Sequence, residues 1–222
     1  MHLKINLPLI SLCLFMLIMV FSGVQVTADE PGLVIVEKNK DTSEILSKTE
    51  YSFADINTSM TSIGAPGGIL LSFQGPTFDP SNLWDPEASL NIDNLKTKVI
   101  GVPVKEILDK ANYSGKIINV TFVAEDGFQK TLPSENIINP PKDQGLPILA
   151  YWYADQGLLP EDNGYRLYFT APDGLYGNTD MKNTLPESYQ HYFYNSADKI
   201  LYPSAKGMSV AKIAEIDLQM DK

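Results

Sequence analysis

The chain has 222 residues and a formal net charge of −10, and its 17 basic residues include one arginine, Arg166. That acidic excess repels phosphate backbones, argues against a nucleic-acid partner, and fits a solvated surface. The one cysteine, Cys13, lies in the first apolar run, so residues 29–222 offer no disulfide, no thiolate nucleophile and no cysteine metal ligand.

Lys4 precedes LPLISLCLFMLIMVF (residues 7–21), and Val26-Thr27-Ala28 stands before Asp29-Glu30. This is the layout of a secretory signal peptide over residues 1–28. The alternative is an uncleaved N-terminal anchor. A span needs ~20 apolar residues, and this run reaches that length only by counting Pro8, Ser11, Ser22, Gly23 and Gln25. Small residues do not precede Cys13, so lipid attachment is not expected. Either way, residues 29–222 are expected to form a single extracytoplasmic domain, secreted or tethered on the outer membrane face. Membrane contact would come only through the first segment, if it is retained.

Residues 33–36 read as a strand, and the polar stretch EKNKDTSEILSKTE reads as a linker or a short helix around Ile45 and Leu46. Residues 51–61 are mixed and polar. Gly64, Pro66, Gly67 and Gly68 mark a turn into a strand over 69–73, which Gln74-Gly75-Pro76 ends. Residues 76–95 read as an ordered surface loop. The clearest helix starts at Pro103, where a missing N–H is no loss. Val104, Ile107, Leu108 and Ala111 then form one apolar stripe, and residues 112–115 close the helix.

Alternating β-branched residues predict a strand over 116–124. Asp126-Gly127 predicts a two-residue hairpin turn into a return strand over 128–132. Ser134 is placed to cap a short helical turn through Ile137 and Ile138. Strands are expected over 148–154 and 165–171. Residues 172–207 have weak periodicity. The last strand spans 212–218, with Ala214, Ile216 and Leu218 on one face. The fold class is mixed α/β (α+β), a mixed β-sheet with short packed helices.

Several phrases fall in a telling order. Gly101-Val102-Pro103-Val104-Lys105-Glu106-Ile107-Leu108 opens the helix, and Asp126-Gly127-Phe128 is followed by Leu132-Pro133. Leu149-Ala150-Tyr151 runs into Gly157-Leu158-Leu159-Pro160, then Asn163-Gly164-Tyr165-Arg166 and Pro172, and Ser209-Val210 leads into the closing strand. The series resembles the sulfite-oxidase-type oxidoreductase molybdopterin-binding domain, over about residues 97–218, with 172–207 poorly matched. The resemblance implies that Arg166 stands beside the cofactor pocket, where a guanidinium fork suits phosphate or a pterin edge. The bland alternative is an arginine that bonds a nearby carboxylate or carbonyl and holds the strand connection. Two departures matter. The family's metal-ligating cysteine has no counterpart after residue 28, and the histidine of its glycine–arginine phrase is replaced by Asn163.

His191, in the aromatic run Tyr189-Gln190-His191-Tyr192-Phe193-Tyr194, is a candidate ligand contact; otherwise it is a loop histidine packed on tyrosines. In Tyr151-Trp152-Tyr153, alternation sends Trp152 to one face and both tyrosines to the other, so Tyr151 is a candidate groove residue or a core aromatic. Asp155, Glu161, Asp162, Asp173 and Asp180 could pair for acid/base work or hold calcium, but their spacing does not match an EF-hand loop, so they read as solvated turns. No catalytic residue and no metal ligand is identified. Asn57, Asn112 and Asn119 head Asn-X-Ser/Thr triplets, with Asn119 placed poorly in a predicted strand.

The expected function is therefore a non-redox descendant of the molybdopterin-binding fold that binds a small ligand or an extracytoplasmic protein near Arg166. No cofactor is expected, and molybdopterin is the one the resemblance implies. The alternatives are a working molybdopterin-dependent oxidoreductase with non-cysteine metal ligation, and a structural cell-surface module that docks a partner through residues 189–194.

Overall fold

The structure, a computed structural model, describes residues 32–84, 96–160 and 162–221. The N-terminal apolar segment, residues 85–95 of the expected surface loop, and Glu161 lie outside the described residues.

β1 (Leu33–Asn39) turns back into β2 (Ile45–Tyr51), and the two pair antiparallel from Leu33↔Tyr51 to Lys38↔Ile45. This corrects the expected linker or short helix. Asn39 Oδ1 accepts the main-chain N–H groups of Asp41 and Thr42 at 2.9 and 3.0 Å, and that side-chain turn starts the hairpin. β2 has only half-buried or exposed positions, so its alternation is written in polar residues. The mixed stretch after it holds α1 (Phe53–Ser59), capped by Ser52 and Asp55 in reciprocal hydrogen bonds, with Phe53 and Ile56 buried.

β3 (Ile69–Phe73) pairs with β4 (Thr97–Pro103), a strand the sequence reading passed over, and β4 crosses to β7 (Pro147–Tyr153). The crossing is bulged at Ile100 and Gly101. A Cβ on Gly101 would sit 2.6 Å from the Leu149 carbonyl oxygen, so the close approach requires glycine. α2 (Val104–Ala111) packs on β4 and β7 through Val104, Ile107 and Leu108, and ends at Asn112 in the left-handed region.

β5 (Lys116–Ala124) and β6 (Gln129–Pro133) form the expected hairpin, but its loop is wider than two residues. The Ala124 N–H donates to the Phe128 carbonyl, with Glu125, Asp126 and Gly127 between them. α3 (Glu135–Ile138) is where Ser134 was expected to cap it, yet Ser134 has helical angles and makes no side-chain cap bond. β8 (Gly157–Leu158) and β9 (Arg166–Phe169) both pair with β7.

The weakly periodic stretch after residue 172 is ordered. It holds β10 (Leu175–Tyr176), α4 (Asn178–Thr184), the hairpin of β11 (Tyr192–Asn195) and β12 (Ile200–Pro203), and a 3₁₀ turn at Ala205–Met208. β13 (Ile213–Asp221) closes the fold with Ile213, Ile216, Leu218 and Met220 buried. A bulge between Ile213 and Glu215 takes Ala214 off the inward face, which corrects its expected place beside Ile216.

The strands form one sheet of order β2-β1-β13-β5-β6 and a second of order β10-β3-β4-β7-β8, with β9 also on β7. Parallel pairs (β1 with β13, β3 with β10) stand among antiparallel ones, so both sheets are mixed. Ile35, Phe122, Ile216 and Leu218 of the first sheet and Val99, Val102, Leu149 and Leu167 of the second belong to one continuous buried cluster. Among the described residues, no helix is long and apolar enough to cross a membrane.

Candidate functional site

Arg166 opens β9, opposite Ala150 of β7. Its neighbours Tyr165 and Leu167 are buried in the core, so the strand's alternation turns Arg166 and Tyr168 to the other side. There the guanidinium stands between two clefts. One, of about 420 Å³, is lined by Ser72, Phe73, Thr97, Phe128, Arg166, Tyr168, Lys206, Gly207 and Ser209. The other, of about 410 Å³, shares Thr97, Arg166 and Tyr168 and adds Tyr153, Asp155, Gln156, Asp162 and Asn163. The first is lined by residues of β3 and β9 and by exposed Phe128, on the hairpin of the other sheet.

Arg166 Nη1 donates to Asn163 Oδ1 at 2.6 Å, and Asn163 Nδ2 donates in turn to Gln156 Oε1. Asn163 sits in a tight turn whose Gly164 N–H bonds to the Pro160 carbonyl, and its own carbonyl accepts the Lys212 N–H. Asn163 thus orients the guanidinium. Among the described residues, no carboxylate forms an ion pair with Arg166. Its Nε is buried and has no hydrogen-bond partner among the described residues. A buried donor left unmade costs about 1–3 kcal/mol.

The guanidinium's field also reaches the tyrosines. Burial pushes the Tyr168 hydroxyl upward, opposed by the charge of Arg166 and its hydrogen bond. Burial does the same to Tyr153, with Tyr168 adding to the rise and Arg166 opposing it. Both phenols stay protonated and can donate across the ordinary pH range.

Lys206 and Gly207 reach the first cleft from the 3₁₀ turn, which a buried amide pair holds in place. The Lys206 N–H bonds to the Gln74 carbonyl at 2.8 Å, and the Ala205 N–H to Asn178 Oδ1 at 2.8 Å. The Asn178 N–H bonds to Gln74 Oε1 at 2.7 Å, and its side chain donates to the Gly75 carbonyl. Gln74 and Asn178 are both fully buried. The sequence reading missed them, since an isolated amide beside a glycine or proline looks like any turn residue.

His191 stands behind this wall rather than in it. A Cβ on Gly207 would lie 1.9 Å from the His191 ring, so the imidazole packs flat against the glycine that lines the cleft. Burial, with Lys130 adding, holds His191 below its ordinary value. Lys130 is lowered by burial too, and donates to the Gln190 carbonyl at 3.2 Å. Tyr151 lies elsewhere. It is buried on β7 with its hydroxyl 2.7 Å from Ser62 Oγ and its ring edge-on to Phe53. Of the three residues singled out for cofactor binding, the structure brings Arg166 to the cleft, sets His191 one residue behind it, and leaves Tyr151 in the core.

The cleft suits one half of the group the resemblance implies. A guanidinium with a spare buried donor, an exposed lysine, hydroxyls of Ser72, Thr97 and Ser209, and rings of Phe73, Phe128 and Tyr168 match a phosphate joined to a flat heterocycle. The metal half is not matched: the residues lining that cleft include no cysteine, histidine or carboxylate. No protein-family model matches the chain, and no curated protein matches it.

Proposed function

We propose that the chain is an extracytoplasmic ligand-binding domain of the molybdopterin-binding fold. It holds a small anionic, ring-bearing ligand against Arg166 and carries out no redox chemistry of its own. The observation that supports this most is the guanidinium of Arg166, held by Asn163, without a carboxylate partner among the described residues, and with Nε buried and unpaired at the edge of two clefts. A phosphate or carboxylate would bond the part of the guanidinium that lines the clefts, Lys206 would add charge, and the aromatic wall would take a flat ring.

A second reading rests on a different surface. Phe78 and Phe193 are large, apolar and exposed, and Phe78 lies edge-on to Phe193 and Tyr202, while Tyr194 and Leu201, paired across the same hairpin, are exposed on its other face. The Phe78–Phe193 face suits a docked protein partner.

Protein recovered from its own cells tests both readings. Ligand extraction should yield a pterin-like or other ring-bearing anion, lost in Arg166→Ala. One tightly held molybdenum or tungsten per chain, with sulfite or sulfoxide turnover, would overturn the non-redox reading. An extract that is the same from wild type and Arg166→Ala would overturn the ligand reading and leave the aromatic patch as the functional surface.

A further inference from the structure

The three Asn-X-Ser/Thr triplets, at Asn57, Asn112 and Asn119, fold into three different settings. Sugar transfer to an asparagine needs its amide nitrogen open to solvent, and the hydroxyl two residues on must be able to turn towards it.

Asn119 fails on both counts. It lies within β5, between β13 and β6, where its Nδ2 donates to Gln219 Oε1 at 2.7 Å and its Oδ1 accepts from the Tyr189 hydroxyl at 2.8 Å. The Thr121 hydroxyl is shared with Thr131 at 2.8 Å. Asn57 is exposed but helical. Positions i and i+2 of a helix do not face each other, and the Ser59 hydroxyl is turned back onto the Asp55 carbonyl.

Asn112 differs from both. It ends α2 with φ 53 and ψ 43, outside any helix or strand, and both Asn112 and Ser114 are exposed. No side-chain hydrogen bond of either is present among the described residues. Tyr113 packs against the core between them, and Gly115, at φ 107, turns the chain into β5. The loop is therefore anchored at its centre and open at the two side chains that matter. It also stands at the Lys116 end of β5, while Phe128 follows the Ala124 end. Eight strand steps separate those ends by ~26 Å, so a bulky group on Asn112 leaves the Arg166 cleft clear.

We infer that Asn112 is an N-glycosylation site, filled on the outer face of the membrane from an oligosaccharide carried on a lipid phosphate. In the transfer, Asn112 Nδ2 bonds to the sugar's anomeric carbon. The bond from that carbon to the carrier's phosphate oxygen breaks, the lipid phosphate leaves with the bonding pair, and the amide gives up one proton. Nothing is oxidised or reduced. The inference rests on the extracytoplasmic part of the proposed function and is independent of what the cleft binds.

The test is peptide mapping by mass spectrometry of full-length protein from its own cells. Its location is scored separately by digestion with protease added to intact cells. Protease-accessible protein is expected to carry whole sugar residues on the peptide 111–116, with Asn57 and Asn119 bare. Ser114→Ala, which leaves the left-handed Asn112 in place, should abolish the addition, as should Asn112→Gln. Accessible protein with a bare Asn112, or sugar found on Asn119 instead, would overturn the inference. Protein shielded from protease would overturn the export reading and the inference with it.

Discussion

Gly207 and His191 form the tightest contact at the site. A methyl group at position 207 would meet the imidazole at 1.9 Å. Gly207→Ala should therefore expel the His191 ring or shift the 3₁₀ turn, at a cost of about 1–3 kcal/mol, read as a lower urea midpoint. His191 also sets an acid response. Burial lowers its pKa below the ordinary 6.5, so the folded state favours the neutral ring more than the unfolded state does. Its contribution is complete above pH 6.5 and is lost as pH falls through the lowered folded value. Lys130 faces the ring from β6, and its charge acts in the same direction. Asp180 and Glu215 are raised by burial and titrate with the opposite sign, so the difference between wild type and His191→Gln isolates the histidine. Between pH 7 and pH 5 the wild type should lose more stability than the variant; equal losses would contradict the burial of the ring. Asn163→Ala should weaken anion binding about fivefold to tenfold, the worth of one orienting hydrogen bond, and calorimetric titration would show it. An unchanged affinity would mean that Asn163 does not position Arg166.

Among the elements, α2 was the most legible, because its apolar stripe and its closing Asn112 were both written locally. Leu108 is 1% exposed against β4 and β7. Leu108→Ala should cost about 2–5 kcal/mol, measured by denaturant unfolding, and a loss below ~1 kcal/mol would show that the helix is not part of the core. The elements that escaped the sequence reading share a physical reason. β2 is a solvent-facing edge strand with no apolar rhythm, and β4 is interrupted by Gly101 and Pro103. The hairpin of β11 and β12 buries little on its own; its rings find partners in Phe78 and Trp84, far away in sequence. In β13 the inward residues follow a bulge, which a strict two-residue period places wrongly at Ala214.

At the scale of the whole molecule, the mixed sheet with few helices followed from the order of strands and turns, while the candidate site was legible only in part. Arg166 stood out as the single arginine beside an aromatic strand. The rest of the cleft comes from segments far apart in the chain: Ser72 and Phe73 from β3, Phe128 from a hairpin of the other sheet, Lys206 and Gly207 from a turn near the end. The amides that brace it, Gln74 and Asn178, are 104 positions apart. Local pattern cannot bring such residues together, because their proximity is a product of sheet order. The central claim is that the Arg166 guanidinium, which lines both clefts, binds an anion, and calorimetric titration with a phosphorylated pterin and with inorganic pyrophosphate tests it most directly. Wild type should bind the phosphorylated pterin, and Arg166→Gln at least tenfold more weakly with an unchanged unfolding midpoint in the absence of ligand. Equal affinities for the two proteins, or a variant whose only defect is lost stability, would contradict the claim.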